Sequence, residues 1–238
     1  MNVAVFDLET NGLTGSSVLS ASSIVFNGEG AVLDLFNRFY LPVESLDRSA
    51  VRVHGLTPGR LLALRERAAT PLYFVEDWPE LLGFWAAWEV AGVVAHNLSF
   101  DVSFLPEAAQ GTFLWWCSMK GLTEYCALPK RSGGSGTFKW PRLGEATTIV
   151  CDGPNALPSP EETQRAENAV GEEGMPHVSL YDCFQLYRVV GRVAKHRRHL
   201  LRFAPFLIPY SPPKKRRFAT PLFPTHDVFT RKILESVI

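Results

Sequence analysis

The sequence predicts an α/β fold with a mixed sheet. Two observations carry that prediction. The N-terminal third holds three β-rich stretches joined by turn residues, and the middle of the chain alternates helical and strand patterns. The length of 238 residues suits one α/β domain, or one domain with an extension, and 46% hydrophobic residues can fill a sizeable core. No apolar run approaches the length of a membrane span, so no membrane partner is expected.

The first strand is Val3-Ala4-Val5-Phe6-Asp7-Leu8-Glu9-Thr10, an apolar run that ends in two carboxylates. Asp7 and Glu9 are two positions apart, so on a strand they face the same side. Such a pair either holds something positive or, for Glu9, fringes an exposed strand end. Asn11-Gly12 closes the strand. Residues 17–26 and 32–41 are β-rich, and Asn27-Gly28-Glu29-Gly30 joins them as a hairpin, which completes a three-stranded meander.

Val53-His54-Gly55-Leu56-Thr57-Pro58 follows. Thr57 is a good N-cap and Pro58 a good first helical residue, so a short helix should run through Leu61, Leu62 and Leu64, with His54-Gly55 in the loop before it. Asp77-Trp78-Pro79-Glu80 reads as a capping box that starts a helix carrying Leu81, Leu82, Trp85 and Trp88 at helical spacing. These tryptophans are expected in the core. The helix feeds a buried strand at 91–95.

At the end of that strand stands His96-Asn97-Leu98-Ser99-Phe100-Asp101. Phe100, Phe104 and Leu105 share a helical face that should pack on the sheet, while Asp101 points elsewhere in the first turn. It reads either as an ordinary N-terminal acid or as a third metal-facing carboxylate. Residues 113–118 form a further strand and 121–128 a helix. A basic, glycine-rich loop spans 130–136, and Phe138-Lys139-Trp140-Pro141-Arg142 then mixes aromatic and basic side chains, which suits either contact with single-stranded nucleic acid or, for Trp140, packing under the loop.

Residues 151–174 hold six acids, Arg165 as the one base, and Pro154, Pro158 and Pro160, so a weakly ordered surface insertion is expected. His177 then precedes Asp182, which should lie on a helix continuing through Phe184, Leu186 and Val189. Beyond Arg202, prolines 205, 209, 212 and 213 prevent a long helix, and Lys214-Lys215-Arg216-Arg217 forms a basic cluster.

Net charge is zero, but from Cys183 to His226 there is no acid, while Arg188, Arg192, Lys195, Arg197, Arg198, Arg202 and the cluster at 214–217 are basic. That asymmetry points to a polyanionic partner. The four cysteines form no C-x-x-C, and no signal peptide fits before Asp7. Reduced thiols and a cytoplasmic setting are expected, or a nuclear one in a eukaryote.

Taken in order, these pieces resemble the DnaQ-like (DEDDh) 3′–5′ exonuclease family. The first family motif matches Phe6-Asp7-Leu8-Glu9-Thr10, the second His96-Asn97-Leu98-Ser99-Phe100-Asp101, and the third His177 with Asp182. His54-Gly55-Leu56-Thr57 resembles the family's loop beside the substrate terminus. The resemblance implies an RNase H-like fold, a mixed five-stranded sheet flanked by helices. It spans about residues 1–195. Domain organisation follows as an exonuclease domain at 1–200, with the acidic insertion inside it, and a Pro-rich basic extension at 201–238.

Four clustered carboxylates would repel strongly without divalent cations, and an all-oxygen set suits Mg²⁺ or Mn²⁺. Two ions about 3.5–4 Å apart can clamp an in-line displacement at phosphorus. The expectation is therefore a pair of ions on Asp7, Glu9, Asp101 and Asp182, with Asp7 bridging and His177 as general base. The resemblance implies release of nucleoside 5′-monophosphates from the 3′ end of DNA or RNA. Thr10, His54, Leu56, Asn97, Leu98 and Phe100 are the expected substrate contacts. The alternative is an accessory trimming or nucleic-acid-binding subunit that acts with a protein partner through the basic tail.

Overall fold

A computed structural model of the chain describes residues 1–13, 15–65, 70–130, 137–151 and 178–206. The expected meander is formed by β1 (Asn2–Thr10), β2 (Val18–Phe26) and β3 (Val32–Phe39), paired antiparallel. Asn27 builds the hairpin turn. Its Oδ1 accepts the backbone N–H groups of Glu29 and Ala31, both at 3.0 Å, and Gly30 supplies a φ of 90°.

β4 (Val90–Ala95) runs parallel to β1, and β5 (Leu114–Cys117) runs parallel to β4. A sixth strand, β6 (Ala204–Pro205), pairs antiparallel with β5, which gives the order β3-β2-β1-β4-β5-β6. The five expected strands are thus joined by a short edge strand from the segment assigned to the extension. Packing explains its attachment. Phe203 lies so close over Gly92 that a Cβ there would sit 2.6 Å from its ring, and its ring centroid is 6.5 Å from that of Trp116.

The helices depart from expectation in several places. α1 (Arg48–His54) precedes α2 (Pro58–Arg65) and ends at His54, with Gly55 as a left-handed C-cap at φ 69°. His54 is therefore helical rather than in a loop. Asp47 starts α1 by accepting the N–H groups of Ser49 at 2.6 Å and Ala50 at 3.2 Å. α3 (Phe74–Ala87) begins before the predicted box, because Asp77 is fully buried and occupied elsewhere. It accepts from Arg38 Nη1 at 2.5 Å and from the Tyr40 hydroxyl at 2.8 Å. Third, the helix expected at 121–128 is two single turns.

The remaining elements are α4 (Leu98–Asp101) with a 3-10 turn at Val102–Phe104, then α5 (Glu107–Gln110), α6 (Ser118–Gly121) and α7 (Thr123–Cys126). α8 (Leu143–Val150) and the long α9 (Ser179–His196) complete the set.

The alternation along β1 decides what each face meets. Ala4, Phe6 and Leu8 pack with Leu81 and Trp85 of α3 and with Leu98 and Val102 beyond β4. Val3 and Val5 pack on the other side with Leu180, Cys183 and Leu186 of α9 and with Ala146 and Val150 of α8. Asp7 and Glu9 continue this second series, so the pleat aims both acids at α9. Among the described residues, the four cysteines form no disulfide and no helix is long and apolar enough to cross a membrane. Most of the acidic segment, His177, loop residues 131–136 and the basic cluster at 214–217 lie outside the described residues.

Candidate active site

The site lies where the sheet changes direction of growth. β1 is flanked by β2 on one side and by parallel β4 on the other, and the C-terminal ends of β1 and β4 lie together. Such an end collects ligands in open sheets because the connections leave to opposite sides and open a crevice.

Three elements bring carboxylates there. Asp7 and Glu9 come from the end of β1. Asp182 comes from the first turn of α9, and one oxygen from each of the three lies within 4.8 Å of the others. Asp101 comes from α4 at the end of β4 and is almost fully buried. Its Oδ1 accepts the backbone N–H of Leu8, between the two β1 acids, at 3.3 Å. The four acids predicted from separate parts of the chain therefore meet at one place.

Electrostatics follow from that convergence. Burial first, then repulsion from Asp101, Asp182 and Glu9, drives the Asp7 carboxyl well above the usual range. Burial, with Asp182 and Asp101, pushes Glu9 up to about 9. Burial likewise raises Asp101 to about 8, against the lowering effect of the backbone N–H groups it accepts, with Asp182 adding repulsion. Without cations the cluster keeps protons that ordinary carboxylates would lose. The donors are all oxygen, close together and mutually repelling, and they fit hard divalent cations.

His96 anchors the approach to Asp101. Its Nε2 is 3.0 Å from the Pro141 carbonyl oxygen, and its Nδ1 is 2.9 Å from Ser118 Oγ. A carbonyl only accepts, so Nε2 carries the proton and Nδ1 accepts from the serine. Burial lowers the pKa of this ring, which keeps it neutral. Trp140, next to Pro141, is 61% exposed, and Lys120 Nζ sits 6.0 Å from its ring centroid.

The other expected contacts are more enclosed. Thr10 is buried and its hydroxyl donates to the Gly12 carbonyl at 2.6 Å. His54 is buried, with Nδ1 accepting the Leu56 N–H at 3.0 Å, and Leu56 belongs to the core. Leu98, the first residue of α4, is buried in the core, and the Phe100 ring meets Phe104 edge-on at 5.2 Å. Asn97 is exposed and Phe100 half-buried, so these two have surface to offer a ligand.

Sequence reasoning missed Ser20 and Ser22. In the β1–β2 register Ser22 pairs with Asp7 and Ser20 with Glu9. Both are fully buried. The available signal was serine at alternate positions 20 and 22, with Ser23 beside them, in a strand whose other residues are apolar.

No protein-family model matches the chain, and no curated protein sequence matches it. Solved structures share its fold. Exonuclease X in complex with 5′ overhanging duplex DNA superposes with a TM-score of 0.51 at 19% identity, covering 82% of this chain and 92% of that one. E. coli exonuclease I in complex with a dT13 oligonucleotide gives 0.56 at 15% identity, over 84% of this chain and 42% of that one. The structure of exonuclease I described as suggesting how processivity is achieved gives 0.54 at 16%, with coverage of 84% and 42%. This chain thus spans less than half the length of exonuclease I. The α/β architecture of this chain is the RNase H-like fold that these structures share.

Proposed function

We propose that this chain is a metal-dependent 3′–5′ exonuclease that releases nucleoside 5′-monophosphates from single-stranded or frayed 3′ ends of DNA or RNA. One observation carries the reading: Asp7, Glu9 and Asp182 bring oxygens within 4.8 Å of one another beside the buried Asp101. A chain with no use for cations would gain from replacing such a cluster, because burial and like charge both oppose its ionised form.

Asp7, Glu9, Asp101 and Asp182 would hold two Mg²⁺ or Mn²⁺ ions. Bound ions supply Lewis-acid stabilisation at phosphorus and lower the pKa of a bound water. The chain's own residues do the rest. Asp101, tied to Leu8, holds the second motif against the first. Neutral His96 fixes the turn before Asn97 to Pro141. His177, five positions before Asp182 in sequence, takes the proton of the attacking water as general base. The exposed Trp140 face, with Lys120 and Arg142 nearby, offers a stacking surface and positive charge to a single strand. The DNA bound by exonuclease X and exonuclease I in their complexes supports a nucleic-acid substrate.

The test is degradation of 3′-labelled and 5′-labelled single-stranded DNA and RNA, with Mg²⁺ or with EDTA, by wild type and Asp7→Ala. Metal-dependent mononucleotide release from the 3′ end, lost in the variant, is the expected result. Salt-sensitive binding with no turnover on any substrate would leave the alternative of a binding or accessory subunit.

A further inference from the structure

Three serines that are fully buried lie beside the carboxylates. Ser179, the first residue of α9, has its Oγ 2.8 Å from Ser20 Oγ and 2.7 Å from Ser22 Oγ. Ser22 Oγ in turn donates to Asn37 Oδ1 on β3 at 2.9 Å. The directions follow from proton counting. An amide oxygen only accepts, so the Ser22 proton is committed to Asn37. Ser179 must then donate to Ser22, and Ser20 must donate to Ser179. The result is a one-way chain, Ser20 to Ser179 to Ser22 to Asn37, that joins β2, β3 and the start of α9.

The serine chain lies next to the carboxylates. Ser20 and Ser22 stand opposite Glu9 and Asp7 in the β1–β2 register. Ser179 lies three residues before Asp182, one helical turn away on the same face. Cys183, four after Ser179, also faces β2, and its thiol donates to the Ser22 carbonyl at 3.2 Å. The N-cap residue of α9 is Val178, which makes no side-chain capping bond. The Ser179 hydroxyl instead ties the first turn of α9 sideways to β2.

We infer that Ser179, Ser20 and Ser22 are positioning residues for the carboxylate cluster: their hydroxyl chain sets the height and rotation of α9 so that Asp182 meets Asp7 and Glu9. The inference rests on the proposed metal-dependent function. An apolar contact would glue α9 to the sheet equally well, but it would let the helix slide or turn. Two short directional bonds to separate serines fix both motions. Buried hydroxyls in an interior of Val, Leu and Phe are tolerated only when satisfied, and here each one donates.

The test is Mn²⁺ binding by the full chain, followed by electron paramagnetic resonance, together with unfolding in EDTA. The variants are Ser179→Ala, Ser20→Ala and, as a matched control, Ser23→Ala. Ser23 is equally buried on the same strand but faces α3, donating to the Val5 carbonyl at 2.7 Å and accepting from Trp85 Nε1 at 2.9 Å. Ser179→Ala should weaken Mn²⁺ binding about tenfold, as loss of supporting bonds around metal ligands does. Ser23→Ala should lower stability and leave Mn²⁺ affinity unchanged. Ser20→Ala removes only the head of the chain and gives the same reading, to a smaller degree, if Ser179→Ala does not fold. Wild-type Mn²⁺ affinity in the folded serine variants would overturn the positioning role alone. Failure of the wild type to bind Mn²⁺ would overturn the metal-dependent reading and this inference with it.

Discussion

The Asp101 carboxylate accepts the backbone N–H of Leu8 at 3.3 Å, across 93 positions of sequence. Leu8 stands between Asp7 and Glu9, so this bond pins the acid from α4 to the strand that carries two of the other three. Asp101 accepts the Leu8 N–H and its own backbone N–H, and the lone pairs not used this way can face a cation. Asp101→Asn keeps an oxygen for Leu8 and removes the charge. It should leave the fold intact and reduce 3′-end turnover by at least about a hundredfold, the scale of losing one preorganised charge contact. Turnover of a labelled oligonucleotide with Mg²⁺ measures this, and a rate equal to wild type would remove Asp101 from the metal site.

Stability of the metal-free protein should fall as pH rises. Asp101 and Glu9 carry folded values of about 8 and 9, against ordinary values of 3.8 and 4.5. Between these limits the folded chain binds more protons than the unfolded one. Their contribution is fully present below the ordinary carboxyl range and is lost as pH rises through 8 and 9. Melting curves in EDTA from pH 5 to pH 9 should show a declining midpoint. Mg²⁺ should raise the midpoint most at the alkaline end, and a flat EDTA profile would contradict the raised values.

Asp77 has no exposed surface and accepts from both Arg38 and Tyr40. Asp77→Ala strands the buried Tyr40 hydroxyl and leaves Arg38 without its partner. The expected loss is about 3 kcal/mol in urea unfolding, while Tyr40→Phe should cost about half as much. Activity of the protein that remains folded should be unaffected, since this network lies on the α3 side of the sheet.

Gly92 is the seat of Phe203. A methyl group there meets the ring at 2.6 Å, so Gly92→Ala should displace Phe203 and release β6 from β5. Limited trypsin digestion should then cut faster after Arg202, with the rest of the sheet protected. Phe203→Ala alone should do the same, and the double variant should be no worse than either single change.

Trp140→Ala should weaken binding of a single-stranded oligonucleotide roughly tenfold, the scale of one lost base–aromatic stack. Fluorescence anisotropy with a labelled strand reads this directly. Unchanged affinity would leave Trp140 as a surface tryptophan without a role in binding.

Much of this molecule was legible in its residues. Alternation placed Asp7 and Glu9 on one side of β1, turn residues set the β2–β3 hairpin, and apolar spacing marked β4, α3 and α9. These are local properties, decided by the pleat and by helical periodicity over a few residues. α1 escaped notice because the stretch Arg48–His54 has little apolar periodicity, and its start depends on one aspartate cap. The start of α3 was misplaced because the Asp77 side chain is claimed by Arg38 and Tyr40, residues nearly forty positions earlier. β6 consists of two residues including a proline, and it forms because Phe203 finds Gly92. The acids could be named from the sequence, yet their meeting depends on parallel pairing of β1 with β4 and on α9 lying across β1 and β2. The serine chain depends on the same packing. Residues so far apart in the chain meet only when burial of the sheet's two faces has brought their elements together, and no local pattern carries that information.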